Sequence, residues 1–456
     1  MKLSAIASRH DTRWQRYVGS LLVVLGVLLF GDVRKAFAVA GVRDPTFDID
    51  GIRIIALSKD NRGQAVVIQP TDSKIVIAGY TNTFGSNDVM VVRLNSNGNL
   101  DGTFNGGQAQ IVNRAGDDRG LATALQSDGK IVVAGYTDTF GTNDVLVMRF
   151  NADGTLDTTF NFSILGGRPN GGVRIINRIG DDRAKAIAIQ SDGKIVVVGT
   201  STVFGSNDVL VLRLNTDGSL DATFNNGGIQ IISRTGDDRA CAVALQPDGK
   251  IVVAGFTNVL GSNDVQVLRF NNNGSLDTTF NTSILGGRVS GGIKIINQSG
   301  DDQAQAVALQ ADGKILVAGQ TNRFINYDIQ LVRLNANGSV DLTFNPTGTP
   351  LPTGGIVVVR QNGNDQGQAV ALQTDGKIVV GGYTDRLGLN DFLVMRLNNN
   401  GVLDITFDGD GISIVGPSGE NRANALAVQA DKKIVVVGQT DTFNVNDIEV
   451  MRFLGE

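Results

Sequence analysis

The chain has 456 residues, 58 of them Gly and only 8 Pro, with 41% apolar residues, 6% aromatics and a formal net charge of −5. That apolar content excludes a disordered chain, and the Gly excess suits many short strands joined by tight turns. The acidic balance makes nucleic acid and anionic membrane poor partners, and neither is expected.

In chain order, the first element is a leader. Lys2, Arg9, Arg13 and Arg16 precede an apolar run from Tyr17 to Phe30, and Ala36-Phe37-Ala38 and Ala38-Val39-Ala40 follow. This is the layout of a secretory signal over residues 1–38, with cleavage near 38–40. The run is shorter than the ~20 residues that a membrane span needs. Arg34 and Lys35 just before the cut are atypical, so an uncleaved anchor is the other reading. A secreted, periplasmic or surface location is expected. Beyond residue 40 the chain carries 34 basic and 43 acidic residues, a net charge of −9. His10 and Trp14, the only His and Trp, lie in the leader, and Cys241 is the only Cys. Past the leader, Ser-His-Asp and Cys-His catalysis, Cys/His zinc sites and intramolecular disulfides are all excluded.

From residue 44 onward a repeat dominates. Variants of D-G-K-I-V-V-x-G recur seven times, with Lys at 74, 130, 194, 250, 314, 377 and 433, spaced by 56, 64, 56, 64, 63 and 56 residues. At fixed offsets from each Lys come a Gly (Gly79 to Gly438), an Asp (Asp88 to Asp447) and an Arg: Arg93, Arg149, Arg213, Arg269, Arg333, Arg396 and Arg452. Each unit predicts four strands. In the third copy they are an Ala-rich Ala184–Gln190, then Lys194–Gly199, Asp208–Leu214 and a segment near Gly228–Ser233. Ser191-Asp192-Gly193-Lys194 and Asn215-Thr216-Asp217-Gly218 supply the positive φ of tight hairpins.

Four strands per repeat predict an all-β chain, a single seven-bladed β-propeller over residues 41–456 with four antiparallel strands per blade. The small Ala side chains suit the crowded innermost strand. Blades fall at about 60–115, 116–179, 180–235, 236–299, 300–362, 363–418 and 419–456 plus 44–58. A D-x-T-F motif follows the third strand at Asp101, Asp157, Asp221, Asp277, Asp341 and Asp404, and its seventh copy, Asp44-Pro45-Thr46-Phe47, lies at the other end of the chain. Residues near Gly51–Ile55 should therefore complete the last blade, leaving no open edge.

The composite pattern A-x-A-x-Q-x-D-G-K-I-V-V-x-G…N-D-x-x-x-x-R-[LF]…L-D-x-T-F resembles the delta-60 repeat family of secreted and surface bacterial proteins. It does so over essentially all of residues 44–456. The resemblance implies a β-propeller of unassigned function and carries over no catalytic residue. Ser73 and Lys432 in place of the turn Gly, and Tyr327 in place of the Asn before Asp328, depart from the pattern.

Candidate chemistry gathers on one face, where loops between strands two and three meet the links between blades. Asp117, Asp118, Asp181, Asp182, Asp237 and Asp238 of G-D-D-R meet Asn143, Asp144, Asn207, Asp208, Asn263 and Asp264 of N-D there. Carboxylate and amide oxygens at this density suit Ca²⁺ or sugar hydroxyls. The structural alternative is that each Asp caps its turn and pairs with Arg. Asp217-Gly218 lacks the spacing and the Glu of a calcium loop. Asp48, Asp50, Asp408 and Asp410 are better calcium candidates, although Asn-Gly counterparts elsewhere read as turns. Calcium is the only cofactor considered.

The repeating Arg should pair with the D-x-T-F Asp. Tyr80, Tyr136, Phe256 and Tyr383 are open to sugar stacking or to packing against the next blade, and Cys241 reads as a small buried filler. Asymmetry lies in longer loops at 161–169, 281–289 and 345–352, and in Gln303 and Gln366, which replace the loop Arg. The first functional reading is a non-catalytic module binding an extracytoplasmic protein or glycan. Alternatives are a polysaccharide-active enzyme using carboxylates of the Asp181 and Asp208 type, or a calcium-stabilised surface protein.

Overall fold

The computed structural model describes residues 39–456 except 58, 162–163, 166–167, 170, 283, 286–287, 290, 347–353, 417–418 and 443–444. The expected leader, residues 1–38, lies outside the described residues, as does much of the three long loops. The backbone of two of those loops makes small hairpins, Ile164–Leu165 with Arg168–Pro169 and Ile284–Leu285 with Arg288–Val289.

Seven four-stranded antiparallel sheets account for the remaining strands. In the third blade the strands are Asp182–Ile189, Ile195–Ser201, Asp208–Leu214 and Ile229–Ile232, from innermost to outermost. The second and third strands are buried along their whole length, because a neighbouring blade covers each face. Between blades two and three, for example, Val145 and Phe160 pack with Ile195, Leu210 and Leu214.

The innermost strands touch one another in sequence around the axis, and Asn421–Val428 of the last blade meets Asn61–Ile68 of the first. Closure is completed by Ile52–Ile55, the outer strand of blade seven, which sets Ile52 opposite Met451 and Ile55 opposite Ile448. The two ends of the repeat array thus share one sheet, and neither is left as a free edge.

Each innermost strand begins two residues earlier than expected: in blade three at Asp182 rather than Ala184. The second Asp and the Arg of G-D-D-R are therefore strand residues, not loop residues. Each innermost strand also carries a β-bulge. In blade three Ala184 faces Gly199 and Ala186 faces Val198, which leaves Lys185 without a cross-strand partner. The equivalent residues are Gln64, Leu121, Cys241, Gln305, Gln368 and Asn424. The bulge explains the invariant Gly of the second strand. A Cβ on Gly199 would overlap the carbonyl oxygen of Arg183, and the same overlap arises at the matching Gly of the other six blades.

A repeated latch joins each blade to the next. Arg213 Nη2 and Asp221 lie 2.7 Å apart, Asp221 Oδ1 accepts from the Thr223 hydroxyl at 2.7 Å, and Arg213 Nη1 donates to the carbonyl of Asn272 in the next blade at 2.5 Å. The guanidinium sits 4.8 Å over the ring of Phe224. That ring packs beneath Gly274 in the next blade's hairpin, where a Cβ would press into it. The same Arg–Asp contacts recur at Arg93–Asp101, Arg149–Asp157, Arg269–Asp277, Arg333–Asp341 and Arg396–Asp404. The seventh joins the chain's two ends, Arg452 to Asp44, with Arg452 also donating to the Ser96 carbonyl of blade one. Burial alone would raise the Asp221 carboxyl. Hydrogen bonds from Thr223 and Lys194 and the charge of Arg213 outweigh it and hold the group well below the ordinary carboxylate range.

Candidate functional site

The loops between second and third strands and the links between blades share one face, tied by backbone hydrogen bonds such as Asp238 N–H to Asn207 carbonyl (2.7 Å). The acidic and amide residues picked out in the sequence divide into two sets there. Asp117, Asp181 and Asp237 lie on the rim, partly exposed. Asp181 Oδ1 accepts from the Asn143 backbone and side chain at 3.0 and 3.2 Å, and Asp237 Oδ1 does the same for Asn207 at 3.2 and 3.1 Å. Asn263 N–H donates to Asp301 at 3.0 Å, and Asp117 pairs with Arg119 at 2.8 Å. The Asn bonds tie the Asn of one blade to the Asp of the next, and the Arg119 pair stays within its blade.

The second set is not presented to solvent. Asp118, Asp144, Asp182, Asp208, Asp238 and Asp264 are all 0% exposed. They stand at blade junctions, where the first residue of one blade's third strand meets the first residue of the next blade's innermost strand. Burial pushes Asp118 up to about 6, with Asp88 adding to it against the hydrogen bond of Thr137 and the charge of Arg114. Asp264 also rises to about 6, through burial and the nearby Asp301. Arg234 meets Asp238 at 2.6 Å, and Arg114 meets Asp118 at 3.4 Å. The expectation that these carboxylates form part of an open ligand face is corrected: innermost strands begin early, on Asp118, Asp182 and Asp238, third strands begin on Asp144, Asp208 and Asp264, and the junction between blades buries both sets.

The calcium candidates are engaged by the protein. Asp48 meets Arg53 at 3.3 Å, Asp50 Oδ1 accepts from Ile52 N–H at 3.1 Å, and Asp410 Oδ1 accepts from Ile412 N–H at 2.9 Å. Asp48 and Asp408 both hold φ of +49°, as Asn105 and Asn225 do at +45° and +44° at the equivalent turn of other blades, which makes them turn residues. Among the described residues no group of three or more His, Cys, Asp or Glu is arranged to hold a metal ion.

The aromatic positions face the mouth of the central channel. Arg119 lies 5.0 Å from the Tyr80 ring and 5.7 Å from Tyr136, Arg183 lies 5.1 Å over Tyr136, and Arg239 lies 5.7 Å over Phe256. These rings stack on guanidinium groups of their own and the following blade. Where blades five and six carry Gln, the ring becomes a chain of amides, with Tyr383 donating to Gln366 at 2.6 Å. Cys241 is half-buried on the channel wall, and burial pushes its thiol up to about 11.

One feature of this face escaped the sequence reading. Phe84, Phe140, Phe204, Leu260, Ile325, Leu387 and Val445 are exposed at the tips of the seven loops between second and third strands, Phe204 by 66% and Ile325 by 91%. They form a crown of apolar tips on this face. The signal was present as a large apolar residue beside Gly in T-F-G-S-N-D, T-F-G-T-N-D, V-F-G-S-N-D and V-L-G-S-N-D.

The sequence pattern described as "Domain of unknown function (DUF5122) beta-propeller" matches residues 71–104, 126–160, 190–224, 246–280, 310–344, 373–407 and 429–455. Together these segments make up just over half of the chain. The chain belongs to the DUF5122 β-propeller family. Each complete DUF5122 segment ends on the latch Phe and spans the second strand, the apolar loop and the third strand, but not the bulged innermost strand. No curated protein matches the chain.

Among solved structures, the polysaccharide lyase Uly1 is similar at 12% identity, covering 88% of this chain and 92% of that one with a TM-score of 0.52. A protein of unknown function from Dyadobacter fermentans is 12% identical over 90% of this chain and 100% of that one, TM-score 0.42. The PQQ-bound aldose sugar dehydrogenase of Streptomyces coelicolor is 12% identical over 88% and 98%, TM-score 0.41. At such identities the likeness to Uly1 shows the fold alone.

Proposed function

We propose that this DUF5122 propeller is an exported, non-catalytic interaction module that holds an extracytoplasmic glycan or protein on its loop face. The crown of seven apolar loop tips carries the reading. Large apolar side chains held in water on a single face of a rigid ring mark a contact surface, and aromatic tips suit both sugar rings and apolar protein patches. The delta-60 pattern of surface and secreted proteins and the signal-like leader support the location. The engagement of the rim carboxylates by Asn and Arg, together with the lack of His past the leader, argues against acid–base turnover on this face.

The test is a glycan array and a polysaccharide turnover assay on the purified protein, repeated with Phe84, Phe140 and Phe204 all changed to Ser. Saturable binding without product release, lost in the triple variant at an unchanged melting temperature, is the expected result. Product release that disappears in a single Asp variant would replace this reading with the enzyme one.

A further inference from the structure

The sevenfold pattern breaks most sharply inside the channel. The bulge residue of the innermost strand packs against no partner strand, and in blade three alone it is a Lys. Among the described residues, the Lys185 ammonium has neither an ion-pair nor a hydrogen-bond partner. Its charged neighbours are Arg183, Arg239 and Arg119, and the Cys241 thiol stands beside it. Lys185 is exposed to the channel, and the protein around its ammonium together with the three guanidinium groups lowers it from its ordinary value. Arg239 Nε is buried with no hydrogen-bond partner. Arg183 and Arg239 reach their nearest carboxylates, Asp181 and Asp237, only at 3.6 Å.

These groups line a cavity of about 360 Å³ at the loop-face mouth together with Gln303, Gln305 and Phe256, and Asp181 is the only acid among its described lining residues. With Asp181 and Asp237 set against Arg183 and Arg239, Lys185 is the uncompensated cation, a local excess of positive charge inside an acidic protein. Like charges held this close repel unless an anion joins them.

The geometry points to a binding site for a small oxyanion in this cavity, with Lys185, Arg183 and Arg239 as its charged contacts. The site is separate from the crown and stands whether or not the crown binds a glycan. Guanidinium and ammonium groups converging on one space match the oxygens of a carboxylate or phosphate. The remaining lining suits an anion on a polyhydroxyl frame. Gln303 and Gln305 offer amides, Phe256 offers an apolar face, and Thr202, whose oxygen accepts from Asp181 N–H at 2.7 Å, keeps its own proton to donate. The volume is that of a small-ligand pocket.

The experiment is isothermal titration of the full chain at low ionic strength with glucuronate, inorganic phosphate and glucose as probes, on the wild type, Lys185→Gln and Arg183→Gln. Both substitutions copy other blades, which hold Gln64, Gln305 and Gln368 at the first position and Gln303 and Gln366 at the second, so the fold tolerates them; an unchanged melting temperature checks this. Saturable binding of glucuronate or phosphate, weakened about tenfold or more in each variant and weakened again by added salt, is expected. Glucuronate binding that phosphate does not displace identifies an acidic sugar as the source of the oxyanion, and binding of phosphate alone identifies the inorganic ion. Failure of both anions to bind, anion binding unchanged in Lys185→Gln, or glucose binding as well as glucuronate overturns the site.

Discussion

Glu449 offers the sharpest test of how these blades are held together. It sits in the third strand of blade seven, opposite Ile54 of the closing outer strand, and it is 0% exposed. Among the described residues neither carboxylate oxygen has a hydrogen-bond partner. Burial pushes the group from 4.5 up to about 8, with Asp391 adding to the rise and Arg43 opposing it. The native state therefore keeps a proton that the unfolded chain releases above pH 4.5. Stability must fall as pH rises from about 4.5 through about 8. A displacement of that size corresponds to a loss on the order of 5 kcal/mol above pH 8, an upper figure because water entry and local relaxation reduce it.

The corresponding residues in blades four and five are Gln266 and Gln330, and Gln266 Nε2 donates to the carbonyls of Phe256 and Arg239 at 2.9 and 3.3 Å. Glu449→Gln thus copies a side chain the fold already uses there and removes the titration. Urea denaturation of both proteins at pH 5, 6.5 and 8.5 should show near-equal stability at pH 5 and a widening advantage for the variant up to pH 8.5. A difference that stays constant across this range would refute the assignment of a protonated, unpartnered carboxyl to this position.

Three further outcomes follow from the same contacts. Arg213→Ala leaves the buried Asp221 with only Lys194 and Thr223 and removes the tie to Asn272, so the melting temperature should drop by an amount equivalent to about 3 kcal/mol; an unchanged melting temperature would show that the latch is decorative. Gly199→Ala places a methyl on the carbonyl oxygen of Arg183 and should cost several kcal/mol or abolish soluble expression, whereas Gly227→Ala, which meets nothing within 4 Å, should be near neutral by the same melting assay. Asp302→Asn copies the Asn61 and Asn421 that open the innermost strands of blades one and seven. Since burial raises Asp302 from 3.8 to about 6, the wild type loses stability between those pH values, and the variant should gain on it over that window when both are denatured in urea.

Much of the architecture was readable because a propeller states its contacts seven times. Constant offsets placed the second and third strands, the hairpin Gly and the Arg and Asp that the structure brings together as a latch, and the misplaced D-x-T-F copy at Asp44 marked the closure. The bulge was not readable. Ala184-Lys185-Ala186 looks like ordinary alternation, and only the overlap between Gly199 and the Arg183 carbonyl shows that the register shifts there. The start of the innermost strand was missed because Asp181-Asp182-Arg183 has the composition of a loop. Asp182 belongs to the strand because it pairs with Ser201 and donates its N–H to the Asn143 carbonyl of the preceding blade, a contact 39 residues distant that local propensity does not encode.

The positions that repeat and the positions that vary have different physical reasons to do so. The Gly facing the bulge, the latch Arg and Asp, and the Phe beneath the next hairpin each meet fixed atoms of a neighbouring strand or blade, so every copy solves the same packing problem with the same residue. A bulge side chain meets water in the channel, and a loop-tip side chain meets water outside it. Neither is held to one residue by packing, and these are the places where Lys185 departs from Gln64, and Leu260 from Phe204. In a ring built from repeats, conserved offsets therefore report the scaffold, and binding specificity is to be sought where one blade breaks from the other six without any packing reason. Lys185 meets that criterion more fully than the rim carboxylates, because each of those is matched by its counterparts and held by a partner the fold itself supplies.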